Sequence, residues 1–92
     1  MKNAIIIHGM TDKEECFSDQ YSSLSNSHWL PWLQKQLFIQ GILAQTPEMP
    51  TPYNPNYNLW LDVFKQFSIN KETILVGHSG GAGFLLRFLC EN

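Results

Sequence analysis

Apolar positions along this chain follow two rhythms, one of short β-branched runs and one of helical stripes. Ala4-Ile5-Ile6-Ile7, closed by His8-Gly9, has the continuous character of a strand buried on both faces, so a first strand is predicted over 4–7. Residues 10–27 are polar and aperiodic and predict a long loop at that strand's C-terminal end, of the kind that is usually functional inside a compact domain. From about His28 the period changes. Trp29, Leu33 and Leu37 share a helical stripe flanked by Leu30 and Phe38, with Gln34, Lys35 and Gln36 opposite. Pro31 fits a first turn, where a missing amide costs little, and Gly41 is a natural stop. Ile42 to Gln45 reads as a second strand. Thr46 to Asn58 holds Pro47, Pro50, Pro52 and Pro55 and must be an irregular connection.

A second helix puts Leu59, Trp60, Val63, Phe64 and Phe67 on one face and Asp62, Lys65 and Gln66 on the other. After a polar turn, Thr73-Ile74-Leu75-Val76 is a third strand. Gly77 to Gly83 forms a glycine-rich corner, and Phe84, Leu85, Phe88 and Leu89 begin a third apolar helix. The order βαβαβα predicts an α/β fold in three α/β/α layers, its sheet parallel in the order 2-1-3 and its crossovers right-handed.

Composition narrows the function classes. With 43% hydrophobic and 15% charged residues the chain is globular in type. A net charge of −2 and a pI near 5.8 give no basic field for nucleic acid, which is excluded as a partner. No apolar run approaches the roughly 20 residues of a membrane span, so no membrane partner is expected and the cytoplasm is the expected location. Cys16 and Cys90 then read as free thiols, and the three histidines and two cysteines lack metal-ligand spacing. No cofactor is expected.

Chemistry concentrates at Gly77-His78-Ser79-Gly80-Gly81, which matches G-x-S-x-G between a predicted strand and a predicted helix. A turn that sharp needs Gly77 and Gly81 beside the serine, and it would lift Ser79 Oγ above the sheet edge as a nucleophile. The amide of Gly80 is the first oxyanion donor, and the Met10 amide, where the loop opens after the first strand, is the second. A plain tight turn or a phosphate loop is the competing reading. A P-loop needs Gly-Lys-Ser/Thr at the helix start, where this chain has Gly-Ala-Gly-Phe, and the glycine spacing does not fit a dinucleotide fingerprint.

The segments IIIHG at 5–9, SHWLPWLQKQL at 27–37, MPTP at 49–52, LWL at 59–61, TILVGHSGGA at 73–82 and LLRFL at 85–89 together make the chain resemble the small single-domain serine hydrolases related to retinoblastoma-binding protein. Bacterial members of that family are called esterases or α/β-hydrolase-family proteins. The resemblance covers nearly the whole chain, and the His-Trp-x-Pro-Trp-Leu helix start is its most specific element. It implies half of an α/β-hydrolase fold, acyl transfer from a small ester or amide through a Ser79 acyl-enzyme, and a triad completed by Asp and then His. After Ser79 this sequence has neither, and its only later acid is Glu91. Residues 1–92 are therefore expected to be the N-terminal half of one domain, self-associated or associated with the other half. The alternative is a non-catalytic fragment or interaction module, since a serine without a base is weakly nucleophilic.

The remaining candidates carry bland readings. His78 is expected to be a packed histidine, and His8 a buried imidazole bonded to backbone, with orientation of the oxyanion loop as its alternative role. His28 is expected at the cleft mouth. Cys16 has no activating neighbour in sequence, and Trp29, Trp32 and Trp60 are expected in the core.

Overall fold

Alternate residues of the first strand, β1 (Asn3–Ile7), face opposite sides, and both sides are dry: Ala4, Ile5, Ile6 and Ile7 have no exposed surface. A computed structural model of the chain describes residues 2–91. In it β1 is the central strand of a parallel sheet ordered β2-β1-β3, with β2 at Leu43–Gln45 and β3 at Ile74–Gly77. Ala4 is in register with Ala44 on one side and Ile74 on the other. The predicted α/β class, parallel sheet and 2-1-3 order are all present.

Helices cover both faces. Leu30, Leu33 and Leu37 of α2 (Leu30–Ile39) pack on Ala4, Ile6 and Ala44. On the other face Ile5 and Ile7 meet Trp60 and Phe64 of α3 (Tyr57–Phe64), Phe84 and Leu85 of α4 (Gly80–Glu91), and Met49. Phe84 is the hub of that layer, its ring 5.4–5.8 Å from those of Tyr57, Trp60 and Phe64. Each such buried side chain is worth about 1.5–3 kcal/mol.

The stripes differ in detail from those the sequence suggests. Trp29 precedes α2 as its N-cap, so the buried stripe starts at Leu30, while Trp32 and Phe38 are exposed. In α3 the buried face runs through Tyr57, Trp60, Leu61 and Phe64, a 3-1-3 spacing, and Leu59 faces solvent. Leu89 of α4 is likewise exposed. The glycine-rich corner is shorter than expected because α4 already begins at Gly80, leaving only His78 and Ser79 between strand and helix.

Helix ends have visible causes. Gly41, at φ 80°, ends α2 in a left-handed turn in which its amide bonds Phe38 O and the Ile42 amide bonds Leu37 O. Asn56 caps α3 through the amides of Asn58 and Leu59. The polar segment 10–27 is not one open loop. Asp12 caps the Glu15 amide and starts α1 (Lys13–Phe17), and a 3-10 turn follows at Leu24–Asn26. Among the described residues no helix is long and apolar enough to cross a membrane, and both cysteines are free thiols.

Candidate functional site

Parallel strands deliver their C-terminal ends to one edge, and in α/β sheets chemistry gathers at that edge, where the strand order switches. At this edge β1 ends at Ile7 and β3 at Gly77, which are in register, and the His78 amide donates to Ile7 O at 3.0 Å. Ser79 then adopts φ 56°, a left-handed backbone that costs a residue with a Cβ about 1–2 kcal/mol. Its carbonyl accepts from the amides of Ala82 and Gly83, and that of His78 from Gly81, so α4 starts without a spacer.

That compression explains two glycines. A Cβ on Gly77 would lie 2.5 Å from Ala82 N and Cα, and one on Gly81 would lie 2.2 Å from Ile7 O. Any side chain at either position pushes β1, β3 and α4 apart. Ser79 is itself exposed, and Gly80, as the first residue of α4, has an amide with no helix carbonyl ahead of it.

The loop after β1 lies against this turn. A Cβ on Gly9 would be 3.1 Å from Ser79 Cβ and 3.7 Å from Gly80 N, and one on Gly80 would meet the Met10 side chain at 2.7 Å. Ser79, His8, Gly9, Met10, Leu24, His28 and His78 line one cleft of about 130 Å³. The sequence-predicted Met10 is thus brought against the turn that holds Gly77, Ser79, Gly80 and Gly81.

His8 is 1% exposed and both its ring nitrogens are committed to backbone. Nδ1 lies 2.7 Å from Gly9 O and Nε2 accepts from the Met49 amide at 2.8 Å. Because a carbonyl only accepts, Nδ1 carries the hydrogen. The bond holds the Gly9–Met10 peptide with its oxygen toward His8, and in a trans peptide the Met10 N–H then points the opposite way. His8 is therefore a structural residue that sets an amide's direction.

Sequence reasoning did not single out the anchoring of Met49 to Pro52. The Met49 amide bonds His8, Pro50 O accepts from Trp60 Nε1 at 2.6 Å, and Pro52 O accepts from the Thr11 amide at 3.3 Å. This proline-rich strap backs the loop after β1. Thr51, within it, has φ 42° and a buried hydroxyl without a partner. Glu48 missed notice as well. Its carboxylate accepts from the Leu24 and Ser25 amides and so caps the 3-10 turn that precedes His28.

His78 packs its ring against those of His28 and Trp29, each 5.3 Å away. His28 has φ 56° and lies at the cleft mouth, as expected. Cys16 lines a larger hollow that adjoins this cleft at Leu24 and His28.

No family model matches the chain. It is 38% identical over 90 residues to the Bacillus subtilis (strain 168) protein named "Putative hydrolase YdeN", a match covering 96% of this chain and 42% of that one. The crystal structure of the ydeN gene product from B. subtilis is similar with a TM-score of 0.76 at 36% sequence identity, over 97% of this chain and 43% of that chain. The chain spans less than half the length of these relatives. The hydrolase-like α/β fold is shared with them.

Proposed function

We propose, from the fold this chain shares with a hydrolase-like relative, that it is the nucleophile-bearing N-terminal half of a serine hydrolase acting on small esters or amides. The observation that carries the reading is Ser79 itself. It is an exposed serine in a strained left-handed backbone, wedged between a strand and a helix whose flanking glycines admit no side chain. Strain of that kind clusters where a side chain must be presented to a ligand.

In the reaction Ser79 Oγ attacks the carbonyl carbon and gives its proton to a base. The C–O or C–N bond then breaks as the leaving group takes that proton, and water releases the acyl group. The Gly80 and Met10 amides are the donors for the developing oxyanion. His8 cannot serve as the base, because neither of its nitrogens is free. The base and its orienting acid belong to further strands added beside β3, where Ile74, Leu86 and Leu89 expose apolar surface, either from the same polypeptide or from a second copy. The motifs quoted from the sequence support the narrower likeness to the esterases related to retinoblastoma-binding protein.

A fluorophosphonate probe tests this, because attack on phosphorus also needs the hydroxyl proton removed. Protein made from the full reading frame around this chain is expected to take one label, at Ser79, and none in Ser79→Ala. The 92-residue chain is expected to label slowly, by the roughly 100- to 10,000-fold that general base catalysis contributes. A label on any other residue overturns the assignment.

A further inference from the structure

The cleft over Ser79 is small. Its 130 Å³ is about four times the roughly 30 Å³ a water occupies in the liquid, room for the scissile group and a few more atoms. A larger substrate must extend out of it, and the adjoining space has a definite character. A hollow of about 440 Å³ shares Leu24 and His28 with the cleft and is lined otherwise by hydroxyls, including those of Thr11, Tyr21, Ser23 and Ser27, by Cys16, and by the carboxylates of Glu15 and Glu48. Among the described residues no lysine or arginine lines it.

His28 stands at the junction. Its left-handed φ of 56° follows a turn that is pinned in two ways. The Ser27 hydroxyl bonds Ser22 O and Ser23 O, and Glu48 fixes the turn just before it. The ring rests on His78, and among the described residues no hydrogen bond reaches either of its nitrogens. A strained residue therefore holds an uncommitted imidazole where the linings of the two spaces meet.

We propose that the substrate runs from Ser79 past His28 into this hollow, that His28 hydrogen-bonds it on the way, and that the group it carries there is polar and uncharged or cationic. An anionic group would face two carboxylates with no cation to offset them, and a long aliphatic chain would strip water from the hydroxyls without replacing its hydrogen bonds. The proposal rests on Ser79 being the nucleophile.

The test uses protein from the full reading frame and four 4-nitrophenyl esters: acetate, pentanoate, 4-(dimethylammonio)butanoate, whose ammonium N–H can donate to a neutral imidazole nitrogen, and hemisuccinate. The last three are similar in length and differ in charge. The cationic ester is expected to exceed the hemisuccinate by about tenfold or more in kcat/KM, with the gap narrowing as salt is raised. Glu15→Gln should shrink it. In His28→Ala the KM for the cationic ester should rise about fivefold more than that for acetate, the size of one lost hydrogen bond, while Ser79 still takes the fluorophosphonate label. Preference for pentanoate or hemisuccinate, or an equal effect of His28→Ala on all four esters, overturns the proposal. Absence of labelling at Ser79 instead overturns the nucleophile assignment, and this inference falls with it.

Discussion

Alanine at Gly81 and at Gly83 adds the same methyl group two residues apart on one helix, and the two changes should move stability in opposite directions. At Gly81 the new Cβ meets Ile7 O at 2.2 Å and His8 O at 2.6 Å. Both obstacles are main-chain atoms of the central strand, which no rotamer change can move aside. Relief requires α4 and β1 to separate by about 1 Å, and close-packed interiors resist such expansion. That movement pulls on the His78–Ile7 bond and on the pairing of Ile7 with Gly77. Overpacking costs about 1–3 kcal/mol where side chains can adjust, so a backbone collision belongs at or above the top of that range. At Gly83 nothing lies within 4 Å of a new Cβ and the site is exposed within a helix, so alanine should add about 0.5–1 kcal/mol. Urea unfolding followed by circular dichroism reads both. Gly81→Ala should unfold at much lower denaturant or fail to fold, and Gly83→Ala should unfold at slightly higher. If Gly81→Ala stays within about 1 kcal/mol of the parent, an ordinary mutational effect, the close approach of α4 to β1 described above is wrong.

Other substitutions probe separate parts of the frame. His8→Leu leaves Gly9 O and the Met49 amide unpaired in the interior and should cost about 2–6 kcal/mol in denaturant titrations, about 1–3 for each orphaned group; a loss under 1 would mean water replaces the ring. Phe84→Ala, at the hub of four aromatic rings, should cost about 3–5 kcal/mol, measured the same way. Asn56→Ala should cost about 1 kcal/mol through the lost α3 cap, and Asn56→Asp much less. Glu48→Ala should change global stability by less than about 1 kcal/mol because the carboxylate is exposed, yet it should speed hydrogen exchange at the Leu24 and Ser25 amides. Unchanged exchange would remove Glu48 from the account of how His28 is held.

The strands were legible because β-branched runs such as Ile5 to Ile7 have few other homes, and strict alternation of strand and helix leaves little freedom in topology. Ser79 was legible because its motif sits between a strand and a helix. The errors are local and have causes. α1 was hidden because five residues with Cys16 and Phe17 adjacent make no helical apolar stripe, although Asp12 followed three residues later by Glu15 is a capping pattern that could have revealed it. Trp29 was counted into a stripe because it is large and apolar, whereas its backbone ends outside the helix and its ring serves His78. The glycines between 77 and 83 look equivalent in one dimension, and only the approach of Ile7 O separates Gly81 from Gly83. The strap from Met49 to Pro52 was unreadable for a similar reason. Its partners His8, Thr11 and Trp60 are distant in sequence, and the bonds run through backbone atoms that every residue shares.

The central position of β1 has a consequence for synthesis. β1 leaves the ribosome before both strands that pair with it, and Ile74, the neighbour of Ala4, is made roughly 4–14 seconds later at about 5–20 residues per second. For that interval Ala4 to Ile7 is an uncharged β-forming segment with no proline and with at least one edge unpaired, the kind of sequence that nucleates intermolecular sheets. Lys2 and the polar stretch after Met10 flank it on either side and act as its solubilising guards while it waits. The burden of this architecture thus falls on the nascent chain, where holding β1 apart from its copies matters as much as the pairing that eventually buries it.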